Sequence, residues 1–286
     1  MKNTIKTFVK KVFSALLGDA ILSGRQLNDL QLLDHWQQLK NNAANPLNKS
    51  GMKYFSQNDE DGITLEIIRR MGLKNGTFAE FGVGNGSENN TLILLASGWR
   101  GFWVGGEPLF FDYAQSAERF CFFRKWIDID NILPSFKEGI RAINSTKIDI
   151  LSLDLDGNDI YLIEKLLTDG VSPKLFIVEY NARFPPPIQW QIAYDKMHVW
   201  NGDDYFGASL ASFNNLFSRH DYTLVCCNFS GVNAFFIRND FLDAFKDVPK
   251  EIGDLFYAPQ YYLFQSYGHR ASPKTIEQFL KTPLQP

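Results

Sequence analysis

The chain is short of cysteine and histidine, carries no surplus of positive charge, and has no apolar run long enough to span a bilayer. Each shortage narrows its chemistry. Its three cysteines, Cys121, Cys226 and Cys227, form no spaced framework for disulfides or zinc. Cys226 and Cys227 are neighbours on a strand-like run and would point to opposite faces, so they read as small core residues in a reducing compartment. A cytoplasmic placement is expected. A formal net charge of −3 over 286 residues provides no basic field, and nucleic acid is not expected as a partner. Of the four histidines, His35, His220 and His269 read as surface or structural residues. No internal repeat or low-complexity block is evident. Phenylalanine, by contrast, is abundant at 25 residues and implies an aromatic-rich core, for which the length is ample.

The N-terminus has its own character. Ile5, Phe8, Val9, Val12, Phe13, Leu16 and Leu17 recur at helical spacing as one apolar stripe, with Lys6, Lys10 and Lys11 beside or opposite it. Such a helix can cap the globular domain, pack against a second subunit in a homo-oligomer, or lie on an anionic membrane surface. The last option would hold the protein peripherally at the inner face of the membrane. A cleaved secretory signal is not expected, because Lys10 and Lys11 interrupt the apolar segment and no cleavage site follows. A second helical stretch over 27–39 leads into residues 41–51, rich in Asn, Ala, Pro and Ser, which read as a linker. The expected division is a helical extension over 1–45, a ligand-binding domain over 46–240, and a tail over 241–286 that packs on the core.

From there the pattern alternates. Helices are expected over 61–71, 88–97, 134–144, 160–169 and 209–220. Strands are expected over 77–81, 101–104, 122–127, 148–153, 175–179, 222–227 and 232–238, the last two as a closing pair. This order implies a mostly parallel sheet with helices on both faces and an antiparallel C-terminal hairpin.

One segment carries most of the functional signal. Glu80 closes a short apolar strand and is followed by Gly82, Gly84 and Gly86 in strict alternation. Glycines there allow positive φ and let a ligand approach the backbone. A helix beginning near Ser87 would point its free N–H groups into the same crevice. Open α/β sheets grip adenosine-containing cofactors in this way. A dinucleotide fingerprint, G-x-G-x-x-G, would need glycine where Ser87 stands. The pattern E-x-G-x-G-x-G instead resembles motif I of the class I S-adenosylmethionine-dependent methyltransferases, which implies that Glu80 serves the cofactor's amino-acid end. Glu107 ends the second strand, where an acidic side chain can accept from two ribose hydroxyls. It suits S-adenosylmethionine and a nicotinamide cofactor equally, and a solvated strand-end carboxylate is its plainer reading.

Two further strand ends face the same crevice. Asp154, Asp156 and Asp159 cluster around the Gly157-Asn158 turn. Close carboxylates repel, which raises a pKa and suits one of them to general-base work. Alternatively Asp154, Asp156 and Glu179 share a divalent cation such as magnesium. Helix capping by Asp156, Asn158 or Asp159 is expected to account for at least one of these polar residues. Glu179 and Asn181 end the next strand, and Pro185, Pro186 and Pro187 then force an extended segment. The insertion that follows carries Trp190, Tyr194, His198, Trp200, Asp203, Asp204 and Tyr205. Aromatics interleaved with carboxylates suit a sugar; a loop folded on its own aromatic cluster is the plainer alternative. Substrate contacts are expected from Glu179, Asn181, Trp200 and Tyr205.

Taken together, residues 54–238 resemble the FkbM-type branch of these methyltransferases. Besides the glycine motif, Gln57, Glu60 and Asp61 are similar to that family's Gln-x-x-Glu-Asp helix start. The run from Ile148 to Gly157 is like its Asp-x-Glu-Gly strand end, with Asp156 where the family usually has Glu. The resemblance implies a Rossmann-like, seven-stranded class I methyltransferase fold and S-adenosylmethionine as cofactor. It implies O-methylation of a sugar, polysaccharide or glycoconjugate hydroxyl, often in surface-glycan synthesis. Gln57, Glu60, Glu80, Gly82, Gly84, Gly86, Glu107 and Asp154 would hold the cofactor, and Asp154 or Asp156 would act as base with His198 in reserve. The rivals are a nicotinamide-dependent oxidoreductase and a non-catalytic glycan-binding protein with a relic cofactor site.

Overall fold

Short runs of branched and aromatic residues, each nearly continuous in apolar character, build strands buried on both faces. In the computed structural model, residues 2–114, 119–264 and 271–281 are described, with side chains from residue 21 onward. The strands are β1 (Thr77–Phe81), β2 (Arg100–Gly105), β3 (Phe120–Arg124), β4 (Ile150–Leu153), β5 (Leu175–Glu179), β6 (Tyr222–Cys227) and β7 (Asn233–Arg238). They form one sheet in the order β3-β2-β1-β4-β5-β7-β6. The pairs among β1 to β5 are parallel, whereas β7 runs antiparallel to both β5 and β6. This is the expected mostly parallel, seven-stranded sheet with an antiparallel C-terminal pair. Its order reverses between β1 and β4, and a crevice beyond the strand ends at such a point is where open α/β sheets bind ligands.

Helices α3 (Glu60–Arg70), α4 (Leu92–Ala96), α5 (Ile132–Ala142), α6 (Asp159–Thr168) and α7 (Leu210–Ser218) surround the sheet. The abundant phenylalanine fills the core. Phe102 on β2 meets Phe81, Phe123 and Phe136 edge-on, with ring centroids 6.0 to 6.4 Å apart. Phe217 of α7 stacks on Phe236 of β7 at 4.1 Å. Burying one such ring contributes roughly 1.5–3 kcal/mol.

The N-terminal region differs from expectation. One helix, α1 (Lys2–Asn42), runs through both helical stretches, and a short α2 (Pro46–Lys49) occupies the expected linker. The glycines at 18 and 24 weaken α1 without ending it, because no proline accompanies them. The last turns of α1 dock: Trp36 packs with Ala43, Phe229, Leu263 and Phe264 in a small satellite core. Ile21, Leu22, Leu27, Leu30 and Leu33 are exposed. The side chains of the stripe from Ile5 to Leu17 lie outside the described residues. Asn45 and Asn48, flanking and within α2, donate to the Val225 and Cys227 carbonyls at 2.8 Å, covering alternate acceptors on edge strand β6.

Beyond β7 come a 3₁₀ segment (Asn239–Phe245), α8 (Ile252–Leu255) and α9 (Pro273–Lys281), which bury Phe245, Leu255, Ile276 and Leu280. No described helix is long and apolar enough to cross a membrane.

Candidate active site

The turn after β1 is pressed against its neighbours. Gly82 has φ +91°, and a side chain there would put its Cβ 1.4 Å from the Asp154 carbonyl. The amides of Gly82 and Val83 both donate to the Val104 carbonyl, at 3.0 and 3.2 Å. Gly84, by contrast, has nothing within 4 Å of a built Cβ. The chain therefore comes close to the tips of β2 and β4 while leaving its outer side open to a ligand.

The helix that follows corrects one expectation. It covers only Leu92–Ala96, and residues 87–91 ahead of it are not helical. Glu80 takes the amides just ahead of the helix: it accepts from Asn90 N at 2.9 Å, Thr91 N at 3.0 Å and Thr91 Oγ1 at 2.5 Å. Thr91 Oγ1 in turn accepts from Trp103 Nε1 at 2.8 Å. Burial pushes the Glu80 carboxyl above its usual range, and these donors oppose the push. Glu80 thus ties the end of β1 to the N-cap of α4.

A cavity of about 360 Å³ opens beside this turn, lined by the turn itself together with Gln57, Glu107, Asp154 and Asn233. Four carboxylates border it, Glu80, Glu88, Glu107 and Asp154, and among the described residues no lysine, arginine or histidine does. Of the residues expected to hold a cofactor, Gln57, Glu80, Gly82, Gly84, Gly86, Glu107 and Asp154 all line this cavity; Glu60 does not. Glu60 is fully buried, where Oε2 accepts from Asn58 N at 2.8 Å. Its Oε1 accepts from the side-chain amides of Asn58, Asn228 and Asn233 at 3.2, 2.7 and 3.0 Å. With every near donor committed, it ties the start of α3 to β7 and cannot close over a ligand. Asn233, on the cavity wall, had no signal in the sequence: it stands opposite Glu179 only through the β5–β7 register.

Next to the cavity the strand tips bring Asp154, Asp156 and Glu179 together, with one carboxylate oxygen of each within 4.8 Å of the others. Asp154 and Glu179 face one another at the tips of β4 and β5. Burial raises both well above the ordinary carboxylate range, and their mutual charge adds to it. Asp156 is exposed, is raised by burial of its carboxyl against its neighbours and is lowered by His198. It sits at φ +54°, a left-handed conformation that costs a residue with a Cβ of order 1 kcal/mol. Glu179 Oε2 is buried without a hydrogen-bond partner. Asp159 is the structural member of the group. It accepts from Leu155 N and Gly157 N, both at 2.8 Å, and fixes the turn that presents Asp156.

The insertion after β5 is strapped down beside these carboxylates. Asn158 and the Asp195 backbone exchange two hydrogen bonds at 2.8 and 3.1 Å. Lys196 reaches Asp128 at 3.0 Å and Asp130 at 2.9 Å on the loop after β3, and Tyr161 Oη donates to the Ile192 carbonyl at 2.7 Å. The strap lays His198 over Gly157, where a Cβ would come 2.5 Å from the imidazole Cδ2. His198 Nε2 is buried and has no hydrogen-bond partner. Trp200 and Tyr205 remain half-exposed, with Tyr205 tilted against His198 at 6.1 Å. Asn181 does not join them. It is fully buried and spends its amide on the Asp204 and Phe206 carbonyls and its oxygen on Arg183 N, so it anchors the insertion and offers nothing to a substrate.

Neither a family model nor a curated protein matches the sequence. Among solved structures, the chain is similar to a TehB-like SAM-dependent methyltransferase from Corynebacterium glutamicum. The two are 11% identical, and the match covers 74% of this chain and 99% of that one at a TM-score of 0.36.

Proposed function

We propose that the chain is an S-adenosylmethionine-dependent O-methyltransferase of the FkbM type, acting on a hydroxyl of a sugar, polysaccharide or glycoconjugate. The observation that carries this reading is the cavity wall, which among the described residues has four carboxyl groups and no cationic side chain. A sulfonium with an attached ammonium is attracted to such a wall. A pyrophosphate is repelled by it and finds no lysine or arginine among the described lining residues, which weighs against a nicotinamide dinucleotide. The residues also fit the donor in detail. Glu107 is exposed at the β2 end for the ribose hydroxyls, and Gly84 leaves room for close approach.

The donor would supply an activated methyl group; the chain's own residues place the acceptor and remove its proton. A sugar hydroxyl is a weak acid, and a carboxylate whose pKa has been raised is a better base for it. The coupled Asp154 and Glu179 supply such a group at the mouth of the cavity. Asp156 and His198 line the approach from the insertion, and Trp200 and Tyr205 offer ring faces for a sugar. In-line positioning supplies much of the remaining acceleration.

A second reading of the carboxylates is favoured by their convergence within 4.8 Å: Asp154, Asp156 and Glu179 would hold a divalent cation such as magnesium through oxygen ligands, polarising the acceptor hydroxyl. Loss of turnover on chelation, restored by magnesium, supports it; unchanged turnover contradicts it.

Incubation with labelled methyl donor and a panel of cell-envelope extracts tests the main reading. Label is expected on a saccharide oxygen. Donor binding with label only on protein or lipid would overturn the acceptor class.

A further inference from the structure

Resting on the methyl-donor reading of the cavity, we propose that Asn233 receives the α-ammonium of the donor through a side-chain oxygen aimed by Glu60. An asparagine amide can usually be turned either way, but here its orientation is forced. The Glu60 carboxylate can only accept, so the group facing it at 3.0 Å is the Asn233 nitrogen. The opposite atom, Oδ1, is buried without a hydrogen-bond partner in a residue only 3% exposed that lines the donor cavity. A buried acceptor left unmatched costs on the order of 1–3 kcal/mol, so it is an anchor for a ligand group that donates.

Strand order narrows which end of the ligand this is. Glu107, suited to the ribose, follows β2, whereas Asn233 begins β7; β1, β4 and β5 lie between those strands. One of the two ends that flank the ribose therefore meets Asn233, and we assign the amino-acid end because its ammonium is a stronger donor to an amide oxygen than the adenine amino group. Glu60 is a positioning residue. It touches no ligand and acts by holding the amide in one orientation, and Asn58 and Asn228 hold Glu60 in turn.

The test compares two ligands by calorimetry with the full chain: S-adenosylhomocysteine, which has the ammonium, and 5′-methylthioadenosine, which lacks the whole amino-acid end. For Asn233→Ala the expected result is a loss of about tenfold or more in affinity for the first ligand, the scale of a hydrogen bond to a charged group, with the second within about twofold of the parent. Glu60→Gln, which lets the Asn233 amide turn over, is expected to show a smaller loss confined to the same ligand. Retained affinity for 5′-methylthioadenosine shows that each variant is folded. Equal losses for both ligands, or none for either, would overturn the assignment. If the parent chain binds neither ligand, the methyl-donor reading itself fails and takes this assignment with it.

Discussion

Two acidic regions of this molecule use the same side chains to opposite ends. At the start of α3, Asp59, Glu60 and Asp61 are all fully buried, and Glu60 and Asp61 are surrounded by donors. Asp61 Oδ2 alone accepts the amides of Tyr54, Phe55 and Ser56 at 2.8, 2.6 and 2.9 Å. At the tips of β4 and β5, Asp154, Asp156 and Glu179 face chiefly one another. A carboxylate that meets donors holds structure together. Carboxylates that meet each other are held in a costly arrangement that a proton, a cation or a substrate hydroxyl relieves. The difference separates the scaffold carboxylates from the ones proposed for chemistry more sharply than position along the chain does.

The largest expected effect is on the scaffold side. Asp61→Ala strips three backbone amides of their acceptor, at about 1–3 kcal/mol each, against a total stability of about 5–15 kcal/mol for a domain. Denaturant unfolding should show most of the stability gone; a loss below about 1 kcal/mol would erase the distinction between the two regions. On the chemistry side the signs reverse. Asp154→Asn is expected to lower kcat by about a hundredfold or more while the unfolding midpoint stays level or rises, because a like-charge contact is relieved. Destabilisation without loss of turnover would assign Asp154 to the scaffold.

Acidity gives a third comparison. Burial raises the folded-state pKa of Asp59 to about 8 and of Asp61 and Asp159 to about 6, from an ordinary 3.8. Between the unfolded and folded values the native state holds more protons than the unfolded one. Stability from these groups is therefore complete below about pH 4 and is lost as pH rises, by up to about 1.4 kcal/mol per pH unit per group. Unfolding midpoints should fall from pH 5 to pH 8, and Asp59→Asn should flatten the upper half of that fall. A wild-type midpoint that climbs across this range would contradict the burial account. The smallest effect concerns the strap: Lys196→Ala should raise KM for the acceptor with donor affinity unchanged, because its ion pairs hold the insertion alone.

Much of the architecture was legible in the sequence because buried parallel strands announce themselves as short apolar runs. Thr77–Phe81, Leu175–Glu179 and Tyr222–Cys227 fall where the pattern puts them. The glycine turn was legible for the same local reason. What was not legible depends on distant partners. Glu60 looks like a cofactor ligand until Asn228 and Asn233 arrive from 168 and 173 residues away. Asn181 looks available until Asp204 and Phe206 fold back on it. Glu80 reaches ten and eleven residues ahead to the Asn90 and Thr91 amides just before α4, a contact that no helical periodicity encodes.

The central claim is that the cavity beside Gly84 takes an adenosyl ligand bearing positive charge. Equilibrium titration of the folded chain with S-adenosylmethionine and, separately, with NAD tests it most directly. The account predicts one-to-one binding of S-adenosylmethionine, weakened by Glu107→Ala, and no binding of NAD. NAD binding at the same site, or S-adenosylmethionine binding untouched by Glu107→Ala, would contradict it.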